Sequence, residues 1–266
     1  HKVKFSGSSS QDISFDSVKS GFTLIDFVNS NIIFSTRLRS AKLVNDTTLS
    51  NSINYGFTES FDLNGNDLNI NGDFIQKEEG LINLNGGIFT IEGDFIQEDG
   101  EIDLAKGQLN VEGDYRLQKQ ELVEGIIEYT KGEALLEMDE AGDYVKVYGN
   151  FIMESTSSHE DHLINGILEL KGDFHQIGNS AAYGNYSRYN FDASGSHKVI
   201  FSGLNSQEVS FESVGSGFAL ADINNSNIKF LTSFRGWPIE KDTIINNSIE
   251  EGFTGDFDLN SYQLMV

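Results

Sequence analysis

Hydrophobic residues fall at every second position in short bursts along this chain, and the bursts recur about every 20 residues. Leu68-Asn-Ile70-Asn-Gly72-Asp-Phe74 is followed by Phe89-Thr-Ile91-Glu-Gly93-Asp-Phe95 and by Leu109-Asn-Val111-Glu-Gly113-Asp-Tyr115. Val145-Lys-Val147-Tyr-Gly149-Asn-Phe151 and Leu168-Glu-Leu170-Lys-Gly172-Asp-Phe174 continue the series. Laid over one another, Ile82 falls on Ile102, Leu84 on Leu104, Phe89 on Leu109 and Ile91 on Val111, while Asn83 falls on Asp103 and Thr90 on Asn110. A period of two puts the apolar columns inside and the polar columns outside. A hairpin meander would also alternate, but it would not restart the same strand–turn–strand text at a fixed interval. The pattern predicts an all-β chain: a parallel β-helix, or β-solenoid, with roughly 20-residue rungs, each adding ~4.8 Å along the axis. No window carries a 3.6-residue apolar stripe, and the best helical candidate, 131–140, is short and runs into Gly142.

A longer repeat encloses the short one. HKVKFSGSSSQDISF at residue 1 returns as HKVIFSGLNSQEVSF at residue 197, and 37 of the 70 paired positions are identical. We therefore expect one continuous solenoid over 1–266, made of a complete unit (1–196) and the start of a second (197–266). The last ten residues match the rung that begins at Phe61 and stop before its Gly-Asp-Phe, so a longer parent chain with further repeats is expected. The step from Gly113 to Gly149 is 36 residues, which implies a loop or an extra strand there; 155–162 and 179–194 read as further insertions.

Composition narrows the function. The net charge is −23, with 41 acidic against 18 basic residues. Such a surface repels nucleic acid and anionic lipid. Residues 92–143 alone hold 16 acids and 4 bases. Cysteine is absent, which excludes disulfides and thiolate chemistry. No apolar run approaches the ~20 residues of a membrane span, so no membrane insertion is expected.

The stretches GDYRLQ (113–118), GDYVKVYGNFIMES (142–155), GILELKGDFHQ (166–176) and NFDASGSHKVIFSG (190–203) resemble a tandem repeat of large secreted or cell-surface proteins of Clostridia and related Firmicutes. The likeness covers essentially the whole chain, and its HKV-FSG segment is the most specific part. It implies an exported, cell-surface or extracellular protein and supplies no catalytic residues. In architecture alone the chain is similar to tāpirins, cellulose-binding surface proteins whose binding domain is a β-helix.

Several spots could carry chemistry. The Asp that follows each rung glycine (Asp73, Asp94, Asp114, Asp173, with Asn150 once) reads as turn chemistry, bonding the backbone two residues on, in preference to a calcium ladder. Asp62-Leu-Asn64-Gly-Asn66-Asp67 has the alternating oxygens of a calcium loop, but its second copy loses two of them and it reads as a turn. His159-Glu-Asp-His162 gathers two imidazoles and two carboxylates, at a spacing of low specificity for zinc. Tyr183, Tyr186, Tyr189 and Trp237 are the candidate glycan-stacking rings, because flat aromatic faces on a rigid rod suit sugar contact. Catalytic residues, metal and cofactor are not expected: the arginines are scattered, and outward acids are too common to single out a pair. The reading is a non-catalytic, extracellular structural or adhesive rod that contacts polysaccharide or cell-wall glycan. A carbohydrate-active β-helix enzyme, a lyase or hydrolase, is the alternative.

Overall fold

The computed structural model describes residues 1–17, 20–178, 190–213, 215–233, 239–253 and 257–266. Among them every regular element is a strand, and the strands stack in parallel as a β-solenoid of about 11 turns. Three faces enclose the core. The first runs from Lys2–Phe5 to Leu135–Glu137, the second from Thr47–Leu49 to Leu220–Ile223, and the third from Phe74–Gln76 to Ile228–Phe230.

The predicted columns are the observed ones. Ile82 pairs with Ile102, Asn83 with Asp103, Phe89 with Leu109 and Ile91 with Val111. Ile82, Leu84, Ile102 and Leu104 are fully buried, whereas Asn83 and Asp103 keep contact with solvent. Corners between the first and second faces are tight turns with two successive left-handed residues: Asn64 and Gly65, Asn85 and Gly86, Ala105 and Lys106. Third-face aromatics form one inner column, Phe74–Phe95–Tyr115–Phe151–Phe174, with successive ring centroids 5.5, 4.6, 5.4 and 5.7 Å apart. Each rung thus buries its apolar side chains on its two neighbours, the repeat-by-repeat stabilisation of a solenoid.

The Gly-Asp-Phe-x-Gln text is a corner device. Oδ1 of Asp73 accepts the backbone N–H of Asp94 (2.9 Å), Asp94 that of Asp114 (2.8 Å), Asp114 that of Asn150 (2.7 Å), and Asn150 that of Asp173 (2.9 Å). This corrects the expected bond two residues on: the partner lies one rung away. The preceding glycine is required by close approach, since a Cβ on Gly113 would lie 2.3 Å from Asp94 Oδ1 and 2.7 Å from Gly93 O. The glutamine fills the next corner. Buried Gln97 donates to Gly100 O (3.0 Å) and Leu135 O (2.9 Å) and accepts the Tyr115 hydroxyl (2.6 Å). Because Asn150 does the same work as its aspartate neighbours, Asp94→Asn should be near neutral in urea unfolding. Asp94→Ala should cost about 1.5–3 kcal/mol, the range for a hydrogen bond to a charged group.

The 36-residue step is an antiparallel hairpin. Tyr115–Val123 runs on beyond its rung and pairs back with Ile126–Lys131, through a turn in which Glu124 (φ 53°) and Gly125 (φ 83°) are left-handed. Arg116 braces its base, bonding Asp114 at 2.7 Å and lying 4.4 Å over the Tyr129 ring. Leu122, Val123, Ile126 and Ile127 at the tip are 41–74% exposed.

The two copies of the long repeat do not occupy the same sheet. Lys2–Phe5 and Leu24–Phe27 belong to the first face, but their equivalents Lys198–Phe201 and Leu220–Ile223 belong to the second. In the first two rungs the chain passes Val28–Asn31 or its equivalent as a turn, and the second face opens only at Thr47–Leu49. The long strands Leu38–Leu43 and Phe57–Asp62 follow in the first face. Leu38 pairs with Phe57 and Ala41 with Phe61, across a register shift between Arg39 and Ala41. That irregularity shapes the surface described next.

Candidate functional site

The four rings proposed for glycan stacking, Tyr183, Tyr186, Tyr189 and Trp237, lie outside the described residues. Phe191, which ends the same aromatic stretch, is fully buried and packs on Phe151, Phe174 and Phe218. His159 and His162 do not converge. His159 is buried with Nε2 accepting the Leu136 N–H (3.1 Å), and burial holds its imidazole down at about 3. His162 lies on the outside, with Nδ1 3.2 Å from Glu137 Oε1. In the calcium-like loop, Asp62 Oδ1 accepts the Asn64 N–H (2.6 Å), while Asn66 Nδ2 donates to Leu63 O (2.9 Å) and Leu43 O (3.2 Å). Its polar groups are spent on the turn and on the neighbouring rung.

A concave surface lies at the register shift. Two adjoining depressions of about 410 and about 420 Å³ share Arg39. Four successive rungs build them, supplying Phe15, Thr36, Tyr55 and Lys77 in turn, while Arg39 and Glu59 come from the paired strands Leu38–Leu43 and Phe57–Asp62. Arg37 pairs with Glu78 (2.5 Å), Arg39 with Glu59, and Lys42 with Asp62 (2.7 Å). Glu59 has φ 63°, a conformation that L-residues other than Asn and Asp seldom adopt. The Tyr55 ring is 45% exposed.

Two other groupings bear on catalysis. On the first face, Asp62, Asn83, Asp103 and Glu137 stand in one outward column. Burial, a hydrogen bond to Glu137 and the charges of Glu137 and Asp103 raise the Glu101 carboxyl to about 7. Carboxyls that hydrogen-bond each other are closer than the ~5 Å of a retaining glycosidase pair. At pH 8 this repulsion is uncompensated, so Glu101→Gln should raise stability there by about 1 kcal/mol. The gain should shrink towards pH 5, where the native carboxyl is protonated; urea midpoints at the two pH values check it. On the third face, Ser210 Oγ lies 2.9 Å from His175 Nδ1, whose Nε2 is 3.9 Å from Asp173 Oδ2. The order is that of a serine–histidine–acid triad, but 3.9 Å is outside hydrogen-bonding range and Asp173 Oδ1 is engaged by the Glu208 N–H (2.8 Å).

Fold and surface define a parallel β-solenoid with one irregular, concave flank. No protein-family model, curated protein or solved structure matches the chain.

Proposed function

We propose that this chain is a non-catalytic structural and adhesive module, a stiff rod of a larger extracellular or cell-surface protein that spaces other parts and touches glycans along its side. The observation that carries this reading is the core. One hydrophobic cluster extends from Ile13 to Ile245, and successive turns repeat the same columns, so length can be added without new kinds of contact. The −23 charge favours solubility and disfavours polyanionic partners. The resemblance to clostridial surface repeats supports the location and the expectation of further repeats in the parent chain.

The second reading, a carbohydrate-active enzyme, would have to work through the Glu101–Glu137 contact or the Asp173–His175–Ser210 grouping, two places where titratable groups converge. One assay separates them. The protein is passed over insoluble polysaccharides and scored for retention and for released sugar, beside Ser210→Ala and Glu101→Gln. Retention without product is expected. Product that disappears with either substitution would establish the enzyme instead.

A further inference from the structure

We infer that the cleft around Arg39 binds a neutral oligosaccharide. The inference rests on the adhesive reading of the rod and names the ligand class for one place on it.

The cleft is built in a way that the repeat does not require. The second copy has the same framework text, yet it writes Ser233 for Arg37, Pro238 for Lys42, Glu251 for Tyr55 and Gly255 for Glu59. Glycine is the residue expected where φ is positive. A glutamate there, at φ 63°, holds its strand in a conformation that L-residues with a Cβ disfavour. What the strain achieves is visible: the Glu59 carboxylate is brought onto Arg39 at the junction of the two depressions. Strain held by a charged side chain in a cleft is a mark of function more than of folding.

Charge decides the ligand. Among the described lining residues four cations, Arg37, Arg39, Lys42 and Lys77, are equalled by four acids, Asp16, Glu59, Asp62 and Glu78, and both arginines and Lys42 are already ion-paired, on a molecule of −23. A uronate, sulfate or phosphate ligand would have to compete with those carboxylates and would approach against the field of the whole rod. Neutral sugar hydroxyls both donate and accept. The guanidinium forks offer donors, and the carboxylates beside them offer acceptors; Ser35 Oγ, whose proton goes to Asp12, offers an acceptor, and Thr36 Oγ1, which accepts the Phe15 N–H, offers a donor. The exposed Tyr55 ring supplies the flat apolar face on which a pyranose can lie. The combined volume falls in the range of small-ligand sites, roughly 300–1,000 Å³.

The test titrates cellohexaose, xylohexaose, mannohexaose and hexagalacturonate into the wild-type protein, Tyr55→Ala, Arg39→Gln and Tyr148→Ala, by calorimetry. Unfolding midpoints confirm that each variant is folded. Tyr148 is an exposed ring elsewhere on the rod and serves as the control. At least one neutral hexasaccharide should bind and should weaken about tenfold or more with Tyr55→Ala and with Arg39→Gln, ~1.4 kcal/mol or more. Tyr148→Ala and about 0.5 M sodium chloride should leave binding unchanged. Salt-sensitive binding of hexagalacturonate alone, loss with Tyr148→Ala instead, or no binding of any hexasaccharide would overturn the inference. If soluble sugars fail while the protein is still retained on insoluble polysaccharide, the cleft is wrong and the adhesive rod stands; failure of both removes both.

Discussion

Leu104→Asp should cost about 4–5 kcal/mol or prevent folding altogether, measured as the urea midpoint. Leu104 is fully buried in an aliphatic column with Leu84 and Met138. An isolated carboxylate there must be either ionised without a partner or protonated at a cost. Against the 5–15 kcal/mol total that folded domains typically hold, this is a large fraction. Asp103→Leu, one residue away and pointing outward, should change stability by less than ~1 kcal/mol. The reverse ranking would show that the strand register is inverted.

The protein should also be acid-labile with a delayed onset. His159 and His197 are fully buried, neither ring nitrogen of His197 has a protein partner, and burial holds both imidazoles down at about 3. Unfolded, each takes a proton near 6.5, so between those values the unfolded chain binds more protons and stability falls as pH falls. By pH 3 the loss reaches roughly 5 kcal/mol for each ring. Two carboxyls oppose it at first. Burial, with neighbouring acids, raises Glu101 to about 7 and Asp192 to about 6, so their folded forms bind protons more readily and stability rises as pH falls towards the ordinary carboxyl range. Both are half-exposed, which reduces their effect. Glu169 acts the other way. Burial alone would raise it, but hydrogen bonds from Lys171, Ser202 and Tyr144 hold it at about 2, so its contribution is lost below about 4.5. Stability should therefore fall gently from pH 6.5 to about 4.5 and drop steeply below. Melting curves across pH 3–8 check this, and His197→Leu should make the acid limb shallower. Parallel limbs for wild type and variant would clear His197 of responsibility.

How far the sequence reaches depends on whether a feature repeats. The columns of Ile82 and Ile102 and of Leu84 and Leu104 were legible because a period of two and a period of about 20 residues coincide in them, whereas Leu136, beyond the 36-residue step, joins only in the structure. The corner aspartates were legible as turn residues, but their true partners lie one rung away, a contact no local spacing encodes. The change of sheet between copies was hidden because identical text suggests identical placement; the neighbouring rung decides it, Leu24–Phe27 pairing with Leu38–Leu43 and Lys198–Phe201 with Ile167–Leu170. Arg37, Tyr55 and Lys77 meet only after three rungs are stacked, yet a signal existed. Arg37/Ser233 opens a stretch, 37–45, in which only Arg39 is kept, and Tyr55/Glu251 and Glu59/Gly255 are charge- or ring-changing differences beside matching Gly-Phe-Thr text. His175 and Ser210 are 35 residues apart, across an insertion, and pair only because neighbouring turns bring Phe174 opposite Val209.

Distance along the stack tests the solenoid most directly. Thr48, Asn69, Thr90, Asn110, Lys146, Glu169 and Ile200 follow one another in register up the second face. With no native cysteine to compete, spin labels can be attached at Thr48→Cys and Ile200→Cys and read by double electron–electron resonance. Six steps of ~4.8 Å place the two backbones ~29 Å apart. A single narrow distance distribution near that value, unchanged when the labels move together to Asn69 and Asp222, is the result expected of a rigid parallel stack. A broad distribution, or two label pairs that disagree, would contradict it.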